Sequence, residues 1–443
     1  MLAGVLVLGL GIFCFRLVTD GGDWATHTAN KNIYNDSGKL TAGTLYDSKG
    51  VMLMSNTEGE MTFNEDYGIR TANVHMTGDP SGNISTGANK VYPDKLAGYN
   101  LITGTYNLSG KGRDVSLTID SDICKTADEA LYGRSGTVGV YNYKTGEIVC
   151  LVSSPNYDPY NPPTLSADDT SGIYINRFFS ASFTPGSIFK LVTAAAAIEN
   201  KSDYASWTYD CTGSIDYGHD DEVTCMDVHG TVDLKQALAD SCNCYFGKLA
   251  EELGPKVMNE YVKKCGLTAN RKIDDITTAA GSFEFPDSGI NLAWAGIGQY
   301  NDLVNPCTMM MYMGAIANEG QAVKPRILDS VKFVMTGLPS TFPKKTRDIS
   351  MIDEETASIL TDMMRNNVED NYGTYNFPDL NICAKSGTAE VGENKTPNAW
   401  FSGFLDDEEH PYAFIVLVEN GGSGSSVAGS VANKVLQEVV EKY

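Results

Sequence analysis

The segment Phe183–Lys190, FTPGSIFK, contains the chain's only Ser-x-x-Lys. Pro185 and Gly186 break the backbone just before the apolar run SIFKLVTAAAAIEN, which predicts Ser187 in the first turn of a buried helix. Residues three apart share a helix face, so the Lys190 amine is expected within reach of the Ser187 hydroxyl. Burial lowers the pKa of an amine, and a neutral lysine can take a proton from serine. The helix N-terminus adds free N–H groups for a developing negative charge. A chance Ser/Lys pair on a surface helix is the plain alternative. It fits poorly, because the flanking residues are those of a core and a buried lysine needs a reason.

A nucleophile and base need a proton relay and a means of holding substrate. Ser-x-Asn occurs three times, at Ser81-Gly82-Asn83, Ser154-Pro155-Asn156 and Ser241-Cys242-Asn243. The first two lie in turn-rich polar sequence. The third precedes a helical pattern, where Ser241 could relay a proton and the Asn243 amide could bind a substrate amide. Helix capping is the competing role for both. Lys-[Ser/Thr]-Gly occurs twice. Lys144-Thr145-Gly146 separates two β-rich runs in YNYKTGEIVCLVSS, which reads as a hairpin turn with Gly146 free to take positive φ. Lys385-Ser386-Gly387 follows the strand-like DLNICA. There Gly387 is expected to let a substrate backbone approach, and Lys385, Ser386 and Thr388 to hold a carboxylate. A strand edge pairs readily with an extended peptide.

The elements that must position these groups are legible as patterns. Residues 23–112 are polar and turn-rich with short strand-like runs, GTLYDSKGVMLM, EMTFN and YNLITGTYNL, and read as a small, mostly β module. From Arg113 come the strand DVSLTID, the helix DSDICKTADEAL with Asp120 or Ser121 as its cap, the hairpin and a mainly helical region. DLKQALADSCNCYFGKLAEELG is expected to end at Gly254, and the Met-rich CTMMMYMGAIANEG at a further glycine. DEETASILTDMMRNNV opens with acids, as the helix dipole favours. Three strands (DLNICAKSGTAE, NAWFSGFLD, YAFIVLVEN) and a closing helix complete the chain. The expected class is α+β, an antiparallel sheet with a helical lobe. The expected divisions are residues 1–22, 23–112 and 113–443.

The remaining composition narrows the function classes. A formal net charge of −23 argues against non-specific nucleic-acid binding. Ten cysteines and five histidines show no Cys-x2-Cys and no His-x3-5-His, so neither metal nor cofactor is expected. Cys150, Cys307 and Cys383 lie in apolar runs as core residues. Cys211 and Cys225 flank a polar loop; in an exported chain they are a candidate disulfide, with free thiols as the alternative. The start, LAGVLVLGLGIFCF followed by Leu17-Val18, is apolar but short for a span of about 20 residues. It lacks a basic n-region and an A-x-A cleavage site, so an uncleaved anchor is expected rather than a signal peptide or a buried helix.

Ser187-Lys190, Ser241-Asn243 and Lys385-Ser386-Gly387, in that order, resemble the penicillin-recognising serine enzymes. The flanks DVSLTID, YKTGEIVCLVSSPNYDP, NRFFSASFTPGSIFK, HGTVDLKQALADSCNCYF, GIGQY and AKSGTAE look like the transpeptidase domain of class B penicillin-binding proteins. The resemblance implies D,D-transpeptidation. Ser187 would attack the penultimate D-Ala carbonyl of a stem peptide and Lys190 would act as base. Ser241 and Lys385 would pass the proton to the departing D-Ala, and Asn243 would hold the donor peptide. Thr388 with Ser386 would grip the terminal carboxylate, and the backbone N–H groups of Ser187 and Thr388 would form the oxyanion hole. β-Lactams would leave a slowly hydrolysed acyl-enzyme. The expected place is a single-pass anchor with the catalytic domain outside the cytoplasm, beside a separate membrane glycan polymerase. Alternatives are a D,D-carboxypeptidase, a β-lactamase, or a silent β-lactam sensor or scaffold. No Glu-x-x-x-Asn lies between Phe246 and Ala384, which disfavours the class A β-lactamase. About 100 upstream residues leave too little room for a glycosyltransferase domain by ordinary domain sizes. Two departures stand out. The family's Arg-Gly-x-Ile-x-Asp-Arg-x-Gly signature is AGTLYDSKG here, without either arginine, and GIGQY ends in Tyr300 where the family commonly has glycine.

Overall fold

The structure is a computed structural model that describes residues 2–57, 59–105, 112–219, 221–332, 339–341, 348–392 and 395–443. It divides into two compact units that interleave along the chain. Unit 1 comprises Met1–Ser121, Asn156–Thr170 and Ile327–Lys344; unit 2 comprises Asp122–Pro155, Ser171–Arg326 and Lys345–Tyr443. A single cut near residue 112 therefore does not describe this division. Strand pairing is the reason. Asp114–Leu117 pairs in parallel with Thr44–Tyr46 and antiparallel with Leu328–Lys332, which draws the 327–344 segment into the first unit.

Unit 1 is built on a six-stranded sheet in the order 339–341, 328–332, 114–117, 44–46, 52–57, 60–63. It also carries four short helices between Tyr67 and Ala97, more helix than the polar, turn-rich sequence suggests. Part of the strand-like run 99–108 lies outside the described residues; the part within forms turns and an isolated Asn100–Gly104 bridge. Arg70 clasps both oxygens of Asp158 at 2.9 Å, tying the 156–170 segment to this unit. Helix Leu2–Ala25 is the one helix among the described residues long and apolar enough to cross a membrane, with a mean hydropathy of 2.2. At 1.5 Å per residue it is about 36 Å long, enough for a bilayer core of about 30 Å. It runs past the apolar sequence, and Arg16 pairs with Asp20 one turn on at 2.9 Å.

Unit 2 centres on an antiparallel five-stranded sheet ordered 382–389, 398–405, 412–418, 136–142, 148–154. Strands Asn398–Leu405 and Tyr412–Val418 are buried along their whole length, as two-sided core strands should be. Helix Pro306–Ala317 packs on both of them. Its Met309, Met310, Met311 and Met313 are fully buried core filler. Each large apolar side chain buried this way contributes roughly 1.5–3 kcal/mol. Helices Lys190–Asn200, Asn243–Lys264 and Ile290–Gly296 pack together as the helical lobe. Gly254, at φ 76, interrupts the middle one, so the expected stop is a kink from which Pro255 restarts the helix.

Candidate active site

Ser187 does not sit in an α-helical turn. Gly186–Phe189 forms a 3-10 turn, and the α-helix begins at Lys190. Side chains three apart eclipse in a 3-10 turn, so Ser187 and Lys190 still share a face. Gly186 takes φ +55 there, and a Cβ on it would lie 2.7 Å from the Thr388 carbonyl oxygen. Upstream, the buried Trp400 indole donates to the Thr184 carbonyl at 2.9 Å, fastening the approach to the sheet. The Ser187 turn is thus pressed against the edge strand Ile382–Ala389.

Lys190 is fully buried, and its Nζ does not bond Ser187. It donates to the Ser241 carbonyl and to Asn243 Oδ1, each at 2.6 Å, and lies 3.1 Å from Ser241 Oγ. Two carbonyl acceptors use two N–H bonds. In a neutral amine the lone pair is then left for a hydroxyl proton. Burial pulls Lys190 down to about 7, with the charge of Lys385 adding to the effect.

Lys385 is also fully buried and pulled down to about 7 by desolvation. Its Nζ donates to Ser241 Oγ at 3.1 Å and to the Ser386 carbonyl at 3.0 Å. This differs from a cation presented to a substrate carboxylate: the head points inward, to Ser241. Ser241 Oγ therefore lies between two lysines. Its backbone takes φ 53, uncommon outside glycine, between helices Leu234–Ala239 and Asn243–Lys264.

Asn243 opens the second helix and donates Nδ2–H to the Thr224 carbonyl at 2.7 Å, leaving one amide N–H. A Cβ on Gly387 would meet Ile188 Cγ2 at 3.0 Å and the Pro185 carbonyl oxygen at 3.1 Å, so its missing side chain makes room for the Ser187 turn. Ser187, Ser241, Asn243, Ser386 and Thr388 all line one cleft of about 700 Å³. Thr388 is exposed on an edge strand whose pairing within the sheet is to Asn398–Leu405 alone.

Lys144 lies elsewhere. The hairpin Gly136–Asn142 and Ile148–Ser154 forms as expected, three strands away from Ile382–Ala389 in the sheet order. Lys144 Nζ donates to Asn318 Oδ1 at 2.8 Å in an exposed position.

Two groups of neighbours escape the motif reading. Tyr372 Oη accepts from Ser386 N at 2.9 Å and bonds Ser386 Oγ at 3.0 Å. It lies on a π-turn, Val368–Tyr372, whose extra residue leaves no helical period to detect. The second group is sulfur. The ten cysteines are free, and Cys211 Sγ stands 3.8 Å from Cys225 Sγ, close but unbonded. Where spacing suggests no metal, the fold brings donor atoms of Cys211, Cys225, His229 and Cys242 within 4.8 Å of one another. The four come from separate turns and strands, so no short motif announces them. The one signal is that Cys242 sits inside Ser-x-Asn.

The family model described as the penicillin binding protein transpeptidase domain matches residues 136–437. The chain is 29% identical over 364 residues to the peptidoglycan D,D-transpeptidase PbpA of Mycobacterium tuberculosis, covering 75% of this chain and 72% of that one. The ceftriaxone acyl-enzyme complex of penicillin-binding protein A from M. tuberculosis superposes with a TM-score of 0.79 at 21% identity, over 93% of this chain and 99% of that one. The D,D-transpeptidase domain of an Eggerthella lenta peptidoglycan glycosyltransferase gives 0.76 at 26% identity, over 90% and 98%. The Helicobacter pylori complex of PBP2 with MreC gives 0.63 at 22%, over 74% and 64%. A serine turn, a second serine between two buried lysines and a Lys-Ser-Gly edge strand all lie within the matched span, and the chain belongs to the penicillin-binding protein transpeptidase family.

Proposed function

We propose that the chain is a peptidoglycan D,D-transpeptidase that works through an acyl-enzyme on Ser187. The observation that carries the roles is the Ser241 hydroxyl held 3.1 Å from both Lys190 and Lys385 in the cleft that Ser187 lines. Ser187 Oγ attacks the carbonyl carbon of the penultimate D-Ala, and its proton passes to the lone pair of neutral Lys190. The oxyanion is held by the backbone N–H groups of Ser187 and Thr388. Collapse breaks the C–N bond. The departing D-Ala amine takes a proton from Ser241 Oγ, which is refilled from the lysines on either side. An amine from a neighbouring stem then attacks the ester, the new amide forms, and the proton returns to Ser187.

The remaining N–H of Asn243 points to the donor peptide backbone, and Thr388 with Ser386 grips its terminal carboxylate. Helix Leu2–Ala25 anchors the chain, with the catalytic unit outside the cytoplasm. A membrane glycan polymerase supplies the strands to be joined; the complex of H. pylori PBP2 with MreC supports a reading in which such enzymes work with partners.

Fluorescent penicillin tests the nucleophile. Wild type should carry a lasting covalent label and Ser187→Ala none; an unlabelled, folded wild type would sink the assignment. A donor ending in D-Ala-D-Ala, offered with an acceptor amine, should give cross-linked peptide and free D-Ala. Hydrolysed donor alone would identify a carboxypeptidase, and rapid loss of the penicillin label a β-lactamase.

A further inference from the structure

We propose that an uncharged cavity beside Tyr372 is a subsite for a neutral saccharide, and that the saccharide it takes is a sugar of the acceptor strand. The cavity holds about 520 Å³, a volume of ligand size, and adjoins the cleft, because Ser425 lines both. Its character sets it apart from two other concavities of unit 2. The cleft carries Asp227, Asp240 and Glu390 on its walls, and a separate groove carries Arg271, Lys272 and Lys324. None of the described residues that line the cavity beside Tyr372 is charged. Amides and hydroxyls stand there instead, on Asn371, Asn376, Asn433, Ser425, Ser426 and Ser430. A peptide carboxylate or ammonium entering it would shed water without gaining a counter-charge. A polar but uncharged ligand carries no such penalty.

The walls are pre-formed. Gly373 takes φ 77, and a Cβ on it would strike the Tyr375 ring, so that ring lies folded over bare backbone. The same ring is 82% exposed. A supported, exposed aromatic ring is a platform for the C–H face of a pyranose, whose hydrogens are drawn to the negative face of the π system. Asn376 donates Nδ2–H to the Tyr372 carbonyl at 2.7 Å, which leaves its Oδ1 to accept. Asn433 Oδ1 accepts from Gln437 at 3.3 Å, which leaves its N–H groups to donate. Sugar hydroxyls need both kinds of partner. The back wall is stiff: Phe377 stacks on Phe401 at 5.4 Å, and Tyr372 meets the same ring edge-on at 5.5 Å.

Position selects the acceptor strand. Tyr372 is the partition between cavity and cleft, and its Oη holds Ser386, the residue given to the carboxylate grip. The departing D-Ala leaves from that end. The acceptor amine attacks the ester carbonyl from the place the leaving amine vacates, so its strand enters from the Tyr372 side. An extended peptide covers about 3.3–3.6 Å per residue, so a few residues of stem join a sugar in the cavity to an amine in the cleft. This assignment to the acceptor rests on the transpeptidase reading, whereas affinity for a neutral saccharide does not.

The test uses the full chain in detergent and begins with a probe that needs no catalysis. Tri-N-acetylchitotriose should give saturation-transfer NMR signals with wild type and equally with Ser187→Ala. Tyr375→Ala should weaken this binding by about tenfold, and Tyr375→Phe should retain it, since the ring and not the hydroxyl is the platform. Ser430→Trp, which fills the cavity from a different element, should abolish it. Both positions are exposed, so neither change threatens the fold. Kinetics then locate the strand. With a D-Ala-D-Ala donor, the KM of an acceptor stem should be about tenfold lower when it carries its disaccharide than when bare, and Tyr375→Ala should erase that difference. No chitotriose binding to wild type would overturn the subsite, as would binding indifferent to both Tyr375→Ala and Ser430→Trp. A sugar advantage on the donor instead of the acceptor would overturn the acceptor assignment alone. Chitotriose bound at Tyr375 by a chain that neither takes penicillin nor cross-links peptides would leave the saccharide site standing and sink the transpeptidase reading.

Discussion

The chain contains two Lys-[Ser/Thr]-Gly triads with nearly the same side chains and opposite physics. Lys144 is exposed at a hairpin turn, lies over the Tyr143 ring and bonds Asn318. Lys385 is wholly buried, 3.1 Å from Ser241 Oγ, and pulled down to about 7. The two glycines differ in the same way. Gly146 takes φ 80 so that the turn can close, whereas at Gly387 a Cβ would crowd the Ser187 turn at 3.0 Å from Ile188 Cγ2. A triad of these residue types thus carries no chemistry by itself. The lowered proton affinity comes from desolvating the amine, here beside a hydroxyl, and that depends on which strand edge the triad occupies.

The largest test of this contrast is the lysine pair. Lys385→Ala should slow penicillin acylation by about 10²–10⁴-fold, the usual worth of a group that moves a proton. Lys144→Ala should change it by less than about twofold, since exposed polar contacts contribute little. Loss of labelling in a folded Lys144→Ala protein would reverse the assignment of the two triads.

The next test is pH. With Lys190 and Lys385 both near 7, the second-order rate of labelling should fall as pH drops below about 7, because the proton acceptors become charged. Stability should move the same way for a related reason. Both folded-state values lie below the 10.5 of the unfolded lysine, so between about 7 and 10.5 the unfolded chain binds more protons. These two groups therefore make stability rise with pH across that window. Stopped-flow labelling and urea titrations at several pH values check both signs. A labelling rate flat from pH 5 to 9 would remove neutral lysine from the mechanism.

Glycine replacement should separate strain from obstruction. Gly387→Ala should displace the Ser187 turn by a few tenths of an ångström and lower acylation by about tenfold, short of the roughly 10²-fold that a misplacement of about 1 Å costs. Gly146→Ala should instead cost about 1–2 kcal/mol of stability through its positive φ, and leave the acylation rate of the folded protein alone. Equal kinetic effects in the two variants would mean that Gly387 is not a close-approach residue.

The smallest contrast concerns the supporting partners. Tyr372→Phe removes the hydroxyl that holds Ser386 and should raise KM for the donor peptide by about three- to tenfold with a smaller change in kcat; one net hydrogen bond is worth about 1 kcal/mol. Asn318→Ala removes the partner of Lys144 and should leave both constants unchanged. A kcat-only effect at Tyr372 would place it in the proton path rather than at the carboxylate grip.

Much of this was readable along the chain because it depends on local preference. The hairpin 136–154, the Met-rich core helix, the acidic start of helix Glu354–Asn367 and the three closing strands each declare themselves by period, breaker or composition. The motif residues do so by type and order. Unit 1 was less legible: its sheet borrows strands from three distant segments, and no local pattern records which strand will pair with which. Tyr372 was missed because a π-turn has no helical period, and the thiol cluster because its members are scattered over 32 residues from Cys211 to Cys242.

What the sequence determined by itself, then, was an inventory: one Ser-x-x-Lys before an apolar helix, three Ser-x-Asn candidates, two triads, and a class of α+β fold. Only the tertiary structure selected among them. It buried Lys190 and Lys385 on either side of one hydroxyl, left Lys144 in water, turned Gly387 toward the nucleophile turn and gathered three thiols and an imidazole behind Ser241. The physical reason is that residue type sets what a group can do, whereas solvent exclusion and hydrogen-bonding neighbours set its proton affinity and its partner, and both arise from contacts between residues far apart in the chain.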